Sequence, residues 1–418
     1  MSERDSDRVG ARLHELVLAE GGRESPGGAY PAKPLWAAVK RTGSELWLDT
    51  GDMDEIGALW CAEFSALTTN NTLLNREVQK GIYDDLVARA AKVLKGTVPH
   101  QDLVLEIAFV LNAVHGLRLT RRFGAKVSVE LHTDLSFDVD RAVAYGRRLH
   151  AVAPEDFYVK VPLTAPGLLA ARRLTDEGVA VNFTLGFSAR QNVLIAAIAR
   201  PAFVNVFLGR LNAFVADHGL GSGRLIGEKA TLASQRAVQE VREALGTTTR
   251  QIAASMRDGE QVLTLAGVDV LTMPPKVAGG FEKLAPEPET VASQADSDPD
   301  IELAEGVDRQ ALGLDGLWDV PDDLKAVARE LGARDPSRLA PEDIAGLLAE
   351  RGFPDVLTPL SHDDLDAIRS DGKIPKLDRW RERLAEGQVG LDTLMNLSGL
   401  CAFETDQRAM DDRIRSML

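Results

Sequence analysis

The stretch from Asp156 to Gly167 reads DFYVKVPLTAPG and shows the pattern on which the fold prediction rests. Its run Phe157–Pro162 has the composition of a buried strand, interrupted by one lysine, Lys160. Apolar residues with helical spacing follow over residues 168–174. A lysine charge is costly to bury, so Lys160 either reaches solvent from a strand end or is a functional amine.

Short apolar runs of this kind recur and alternate with longer stretches of helical spacing. The runs are Leu46–Asp49, Ser65–Thr69, Val127–Leu131, Phe157–Pro162, Val179–Phe187, Phe203–Leu208, Gln251–Met256 and Val268–Met273. Strands that alternate with helices indicate repeated βα units and a parallel sheet. Eight units over this length predict a closed (β/α)₈ barrel of the TIM type rather than an open sheet.

The amino-acid composition changes near Ala285. The stretch APEPETVASQADSDPDIELAEG (285–306) is acidic, rich in Pro, Ser and Asp, and lacks aromatic residues, as a linker or mobile loop does. Beyond it lie short helical patterns with start signals, including a capping box from Ser361 to Asp364. The sequence therefore predicts a barrel with an N-terminal helical segment over residues 1–284, an acidic linker over 285–306, and a mainly helical C-terminal region.

Composition excludes several classes of protein. The 418 residues carry 48 Lys and Arg against 63 Asp and Glu, a net charge of −15, which argues against nucleic acid and anionic membranes as partners. The two cysteines, Cys61 and Cys401, lie far apart and predict neither disulfides nor a thiolate metal site. No signal peptide and no apolar run near ~20 residues are recognised, so we expect a soluble cytoplasmic protein.

Polar side chains collect on the strand face that points into the predicted barrel. Residues two apart share a face of a strand, and apolar residues take the opposite face almost every time. The inward set comprises Asp49, Glu130, Lys160, Asn182, Thr184, Asn205, Phe207 and Ser255. Active sites of such barrels lie at the carboxyl ends of the strands, and this set is concentrated there.

A buried lysine beside carboxylates, without metal-ligand spacing, indicates amine chemistry. Burial and nearby cations favour the neutral amine, which attacks a ketone to form a Schiff base. Asp49 and Glu130 are the available bases for the accompanying proton transfers. Arg210 and Arg257 are candidates for binding a phosphate at the barrel mouth.

Each candidate also has a purely structural interpretation. The alternatives are a strand-end lysine for Lys160, a turn or cap for Asp49, a solvated strand end for Glu130, surface ion pairs for Arg210 and Arg257, and a mutual hydrogen bond for Asn182 and Thr184.

Seven short motifs, in order along the chain, resemble those of the transaldolase family. They are LDTGDMDEI (48–56), ALTTNNTLL (66–74), VSVE (127–130), YVKVP (158–162), VNFTLGFSARQ (181–191), FLGRL (207–211) and AASMR (253–257). The stretch CAFETDQRAMDDRI (401–414) also resembles the closing helix of that family. The resemblance therefore implies that residues 391–418 form a helix packing back on the barrel, and that 307–390 is a helical insertion.

The resemblance assigns roles to individual residues. It implies Lys160 as the Schiff-base former, Asp49 as the base, Glu130 and Thr184 as holders of a catalytic water, Asn70 and Asn182 as ligands of sugar hydroxyls, Phe207 as the wall near the imine, and Arg210, Ser255 and Arg257 as the phosphate site. The implied reaction moves a dihydroxyacetone unit from a ketose phosphate, such as fructose 6-phosphate or sedoheptulose 7-phosphate, to an aldose phosphate. It belongs to the pentose phosphate pathway and needs no metal or organic cofactor.

Several positions depart from the family pattern and put the acceptor preference in question. Asn71 and Thr72 replace a proline and a serine, Asn205 stands where a serine is expected, and Arg190 stands where asparagine is common. An aldolase that releases free dihydroxyacetone, a transaldolase with another acceptor, and a non-catalytic barrel that binds a protein partner are the alternatives. The sequence leaves open whether the chain forms a homo-oligomer.

Overall fold

The eight strands close into one parallel barrel in the computed structural model, which describes residues 3–418 and the side chains from Gly10 onward. Neighbours in the chain are neighbours in the sheet, and β1 closes the barrel by pairing with β8. The strands are β1 (Glu45–Asp49), β2 (Phe64–Thr68), β3 (Lys126–Glu130), β4 (Phe157–Pro162), β5 (Val181–Thr184), β6 (Phe203–Phe207), β7 (Arg250–Ala254) and β8 (Val270–Met273). The predicted (β/α)₈ fold is confirmed.

Helices surround the barrel and continue beyond it. In the described residues they are α1 (Glu3–Gly21), α2 (Pro34–Arg41), α3 (Met53–Leu59), α4 (Asn71–Gln79), α5 (Asp84–Leu94), α6 (Leu103–Phe123), α7 (Val139–Val152), α8 (Ala165–Asp176), α9 (Ala189–Ile198), α10 (Leu208–Asp217), α11 (Ile226–Leu245), α12 (Glu260–Thr264), α13 (Pro275–Leu284), α14 (Asp322–Ala333), α15 (Pro341–Glu350), α16 (His362–Asp371), α17 (Leu377–Ala385) and α18 (Leu391–Arg415).

Aromatic side chains fill the amino-terminal end of the barrel interior. Trp47 stacks on Tyr158 with ring centroids 5.5 Å apart, and both meet Phe203 edge-on at 4.8 and 4.9 Å. Since residues two apart share a face, Asp49 and Lys160 point inward one layer above this aromatic plug. The plug therefore forms the floor on which the polar layer lies.

Each predicted run overlaps one strand, but the fifth run, Val179–Phe187, is longer than the strand that it contains. The strand ends at Thr184 because Leu185 adopts a left-handed backbone with φ 67°, which leaves the extended conformation.

One helix corrects the expectation that no apolar run approaches membrane length. The segment His100–Phe123 is long and apolar enough to cross a bilayer by length and composition alone. Within the protein, 72% of its most apolar window is buried, and α6 packs against α1, α5, α18 and β3. Burial inside the protein accounts for its composition.

The C-terminal region contacts the barrel at several points along the chain. In the acidic segment, Leu303 forms an antiparallel bridge with Gly221, and Asp298 pairs with Lys229 at 2.5 Å. Helix α14 packs on α9, α15 on α8, and α16 on α18. Ser361 and Asp364 form the expected capping box at the start of α16. The domain boundaries drawn from the sequence stay predictions.

Candidate active site

A cavity of about 530 Å³ opens at the carboxyl ends of the strands. Among the residues proposed from the sequence, those that line it are Asp49, Asn70, Lys160, Asn182, Asn205, Phe207, Arg210, Ser255 and Arg257. Glu130 and Thr184 do not line it and are buried in the barrel wall beside it. The structure thus brings the proposed residues of seven different strands and their loops into one place.

Lys160 lies in the wall of the cavity and is only 4% exposed. Its position in β4 is flanked in register by Glu130 of β3 and Asn182 of β5. Its Nζ donates to the carbonyl oxygen of Thr69 at 3.2 Å and lies 5.9 Å from the ring centroid of Phe403. The side chain is enclosed by protein, unlike a lysine that reaches solvent from a strand end.

Asp49 ends β1 and faces the cavity. Its Oδ1 accepts a hydrogen bond from the Thr68 hydroxyl at 2.6 Å, and that hydroxyl lies 2.8 Å from the hydroxyl of Thr272. Burial raises the pKa of Asp49, while the positive charge of Lys160 and the Thr68 hydrogen bond oppose the rise. The cap of the following helix is a different residue, Asp52, so Asp49 is left to face the lysine.

Glu130 ends β3 and is 3% exposed. Its Oε2 accepts from the backbone N–H of Asn71 at 3.0 Å, and burial raises its pKa against the pull of the Lys160 charge. Thr184 is fully buried, and its hydroxyl has no hydrogen-bond partner in the described part of the chain. Both residues therefore offer polar atoms within the wall behind the lysine.

Three asparagines contribute amides to the site. Asn182 donates to the Ser128 hydroxyl at 2.9 Å rather than pairing with Thr184. Asn205 donates to the carbonyl oxygen of Phe183 at 2.9 Å, which fixes its side chain on the cavity wall. Asn70 caps α4 by accepting from the Leu73 N–H at 2.9 Å, so its amide nitrogen is the group that remains for a ligand.

Two arginines come together where the loops after β6 and β7 meet. A Cβ on Gly209 would lie 2.2 Å from the Ser255 carbonyl oxygen and 2.7 Å from Arg257 Cγ, so only glycine allows this approach. Ser255 itself has a left-handed backbone, with φ 63°. Burial and the neighbouring Arg257 lower the pKa of Arg210 to about 10. Within residues 10–418, neither guanidinium has a carboxylate within 4 Å.

The last helix, α18, covers the lysine side of the cavity. Its Phe403 ring lies 5.8 Å from the Arg210 guanidinium, and Gly399 makes room for that guanidinium, since a Cβ there would lie 3.2 Å from Arg210 Nη1. Asn396 donates to the carbonyl oxygen of Leu185 at 2.9 Å, which ties α18 to the end of β5. Phe403 is only 5% exposed and also lines the cavity.

Arg190, which departs from the family pattern, anchors the start of α18. It is 8% exposed and binds Asp392 through two hydrogen bonds of 2.8 and 2.7 Å. Its remaining nitrogen pairs with Asp355 of the insertion at 2.7 Å. Ser188 donates to the same Asp392 carboxylate at 2.6 Å. We call this set, Ser188, Arg190, Asp355 and Asp392, the α18 anchor.

One group of residues in the described chain has the make-up of a metal site, namely His132, Asp134 and Asp411. His132 already accepts from the Asp134 N–H at Nδ1 and lies 3.2 Å from the Asp411 carboxylate at Nε2. Both ring nitrogens are thus engaged, and the group links α18 to the loop after β3.

Some residues of the site had no place in the sequence interpretation. Thr68 and Thr272 share the inward face of their strands, so the alternation of faces was a usable signal for them. Lys373 and Ile374 line the cavity from the turn between α16 and α17, and no local pattern marks them.

A family model described as transaldolase and fructose-6-phosphate aldolase matches residues 46–317. The chain belongs to this family. Within it, the chain is 31% identical over 287 residues to a transaldolase of Chlamydia muridarum, covering 64% of this chain and 84% of the relative. It is 34% identical over 250 residues to a probable transaldolase of Thermus thermophilus, covering 59% of this chain and 92% of the relative. It is 31% identical over 261 residues to a transaldolase of Xanthomonas campestris, covering 60% of this chain and 79% of the relative.

Membership in the transaldolase family makes the protein an enzyme of the transferase class. This finding disfavours the alternative of a non-catalytic barrel. The match to the family model ends at residue 317, so α14 to α18 lie outside it.

Proposed function

We propose that the protein transfers a three-carbon dihydroxyacetone unit from a ketose phosphate to an aldose phosphate through a Schiff base on Lys160. The observation that carries this proposal is the enclosed amine of Lys160, held in the cavity wall close enough to Asp49 and Glu130 for its charge to oppose the rise that burial causes in the pKa of both carboxyls. Such an arrangement suits imine formation and the proton transfers that accompany it.

The chemistry follows from that arrangement. Lys160 Nζ attacks C2 of fructose 6-phosphate, and loss of water gives an iminium. Asp49 takes the proton of the C4 hydroxyl, the C3–C4 bond breaks, and its electron pair moves to the iminium nitrogen as an enamine forms. Glyceraldehyde 3-phosphate leaves as the aldehyde. The enamine then adds to the aldehyde of erythrose 4-phosphate by the reverse steps, and water releases the new ketose.

Imine formation and hydrolysis each need a proton carrier, and we assign this role to a water held by Glu130 and Thr184. The buried Glu130 carboxylate lies in register with Lys160, and the Thr184 hydroxyl has no partner among the described residues. A raised pKa, as burial gives Glu130, favours a group that both gives and accepts protons near neutral pH.

The phosphate of the substrate is assigned to Arg210 and Arg257. Both line the cavity, and within residues 10–418 neither guanidinium has a carboxylate within 4 Å. Asp406 and Asp49 act on the two arginines only at longer range. In a chain of net charge −15, this local pair of cations without a contacting carboxylate is the feature that favours an anionic substrate. Asn70 and Asn182 are assigned to sugar hydroxyls, and Phe207 to the wall beside the imine.

Borohydride reduction in the presence of fructose 6-phosphate tests the Schiff base. We expect peptide mass analysis to find a three-carbon adduct on Lys160, and no adduct in Lys160→Ala. Lys276→Ala is the matched control, because Lys276 also lines the cavity but lies at its exposed rim. Turnover without modification of Lys160 would contradict the mechanism.

An aldolase that releases free dihydroxyacetone is the second candidate, since the matching family model includes fructose-6-phosphate aldolases. A coupled assay distinguishes the two: dihydroxyacetone production from fructose 6-phosphate without any acceptor favours the aldolase. Cytoplasmic location stays a prediction from the sequence, which leaves open whether the chain forms a homo-oligomer.

A further inference from the structure

The insertion reaches the cavity through one short turn. Residues 372–376, between α16 and α17, are here called the mouth turn, and its Lys373 and Ile374 line the cavity that contains Lys160. These two residues lie outside the stretch matched by the family model. They are therefore features of this chain that the family match does not account for.

The mouth turn is held in a defined conformation. The Asp371 carboxylate before it accepts from the Lys376 N–H at 3.1 Å and from Trp380 Nε1 at 2.8 Å, which closes the turn. Gly372 adopts φ 90°, a value that suits glycine, and this allows the sharp change of direction. Ile374 is partly buried against the core, so the turn is packed as well as hydrogen-bonded.

The turn lies beside the helix that carries Arg210. The Leu377 N–H, directly after the turn, donates to His218 Nε2 at 3.1 Å, and His218 caps the end of α10. Ala213, one turn along α10 from Arg210, lines the same cavity as Lys373. Lys373 thus lines the cavity from the side of α10, the helix that carries Arg210.

The ammonium group of Lys373 has no bonding partner in the described structure. It is exposed, and within residues 10–418 it makes no ion pair or side-chain hydrogen bond. Among residues 10–418, two carboxylates line the cavity, Asp49 and Glu55, and Glu55 already accepts a hydrogen bond from the Thr50 hydroxyl at 2.9 Å. An unneutralised ammonium at the mouth of such a cavity attracts anions.

We propose that Lys373 is a specificity-determining residue, which binds the terminal phosphate of the sugar substrate together with Arg210 and Arg257. This inference rests on the proposed function and adds a third cation, supplied by the insertion, to the phosphate site. The insertion therefore selects phosphorylated over unphosphorylated sugars at the entrance of the cavity.

Kinetics of Lys373→Ala test the inference, with Lys376→Ala as the matched control. Lys376 is exposed and lies three residues away in the same turn, but does not line the cavity. We expect Lys373→Ala to raise KM for fructose 6-phosphate about threefold to tenfold, as loss of one partly exposed charge contact does, with kcat within about twofold. KM for unphosphorylated fructose should not change, and Lys373→Arg should restore binding.

Calorimetric titration with inorganic phosphate separates this inference from the proposed function. Weaker phosphate binding in Lys373→Ala than in Lys376→Ala supports the anion site even if no ketose phosphate is turned over. Absence of turnover would contradict the proposed reaction but not the anion site. Equal behaviour of the two variants in both measurements overturns the inference. An equal rise of KM for fructose and fructose 6-phosphate also overturns it, because it indicates a role in shape rather than charge.

Discussion

At the scale of single residues, the proposed base Asp49 must be kept ready to accept a proton. Burial raises the pKa of its carboxyl, and the Lys160 charge and the Thr68 hydroxyl restrain that rise. A base must be ionised to act, so activity is lost as pH falls through this raised pKa. The acid limb of the rate profile should therefore lie above the ordinary value of 3.8.

The first prediction concerns Thr68→Val, which removes the hydrogen bond that stabilises the Asp49 carboxylate. In Thr68→Val, the acid limb of kcat/KM for fructose 6-phosphate should move to higher pH. Asp49→Asn, which removes the base itself, should lower kcat by about a hundredfold or more. Thr272→Val is the control, because in the described structure Thr272 contacts the Thr68 hydroxyl and makes no hydrogen bond to the carboxylate of Asp49. An acid limb that is the same in Thr68→Val and wild type would refute this account.

At the scale of elements, the α18 anchor fixes the helix that covers the lysine. Arg190 and Asp392 are both buried, and the pair joins the start of α9 to the start of α18. Removing one partner of a buried ion pair leaves the other charge without compensation, which typically costs about 3–5 kcal/mol. Replacing both partners removes that uncompensated charge.

The second prediction is a double-mutant cycle on this pair. Arg190→Met and Asp392→Leu should each lower the unfolding temperature, and the double variant should lose less than the sum of the two losses. The exposed pair Arg147 and Glu177 is the control, and its removal should cost no more than about 1 kcal/mol. Additive losses at Arg190 and Asp392 would show that the two charges are not coupled.

The strands of the barrel could be predicted from the sequence, whereas the long-range contacts between elements could not. Strands such as β4 could be located because an inward polar residue interrupts an otherwise apolar run, and the motif order then gave the site residues. Arg190 could be recognised only as a departure from the family pattern. Its partners Asp355 and Asp392 lie more than 160 residues away, and contacts over such distances depend on tertiary packing that no local pattern encodes.

At the scale of the whole molecule, one buried histidine links global stability to pH. His115 is 1% exposed, its Nδ1 lies 2.8 Å from the Tyr83 hydroxyl, and burial lowers its pKa to about 4 from 6.5. The unfolded chain therefore binds one more proton than the folded chain between these pH values. The free energy of unfolding should rise with pH across this window, by up to about 3 kcal/mol, and level off above it.

The third prediction is that His115→Gln removes this part of the pH dependence. Chemical denaturation from about pH 4 to about pH 7.5, a range that spans both pKa values, should give a flatter profile than that of wild type. His100→Gln, at an exposed position, is the control and should keep the wild-type slope. A variant profile as steep as that of wild type would assign the dependence to other groups.

The position of α18 over Lys160 has a consequence for how the enzyme is made. All eight strands, together with Arg210 and Arg257, leave the ribosome before this helix does. Until Phe403 arrives, the Lys160 amine lacks this cover and is more open to water, which favours its charged, unreactive form. Newly synthesised barrels are therefore expected to stay inert toward cellular carbonyl compounds until α18 has been made and has packed over Lys160.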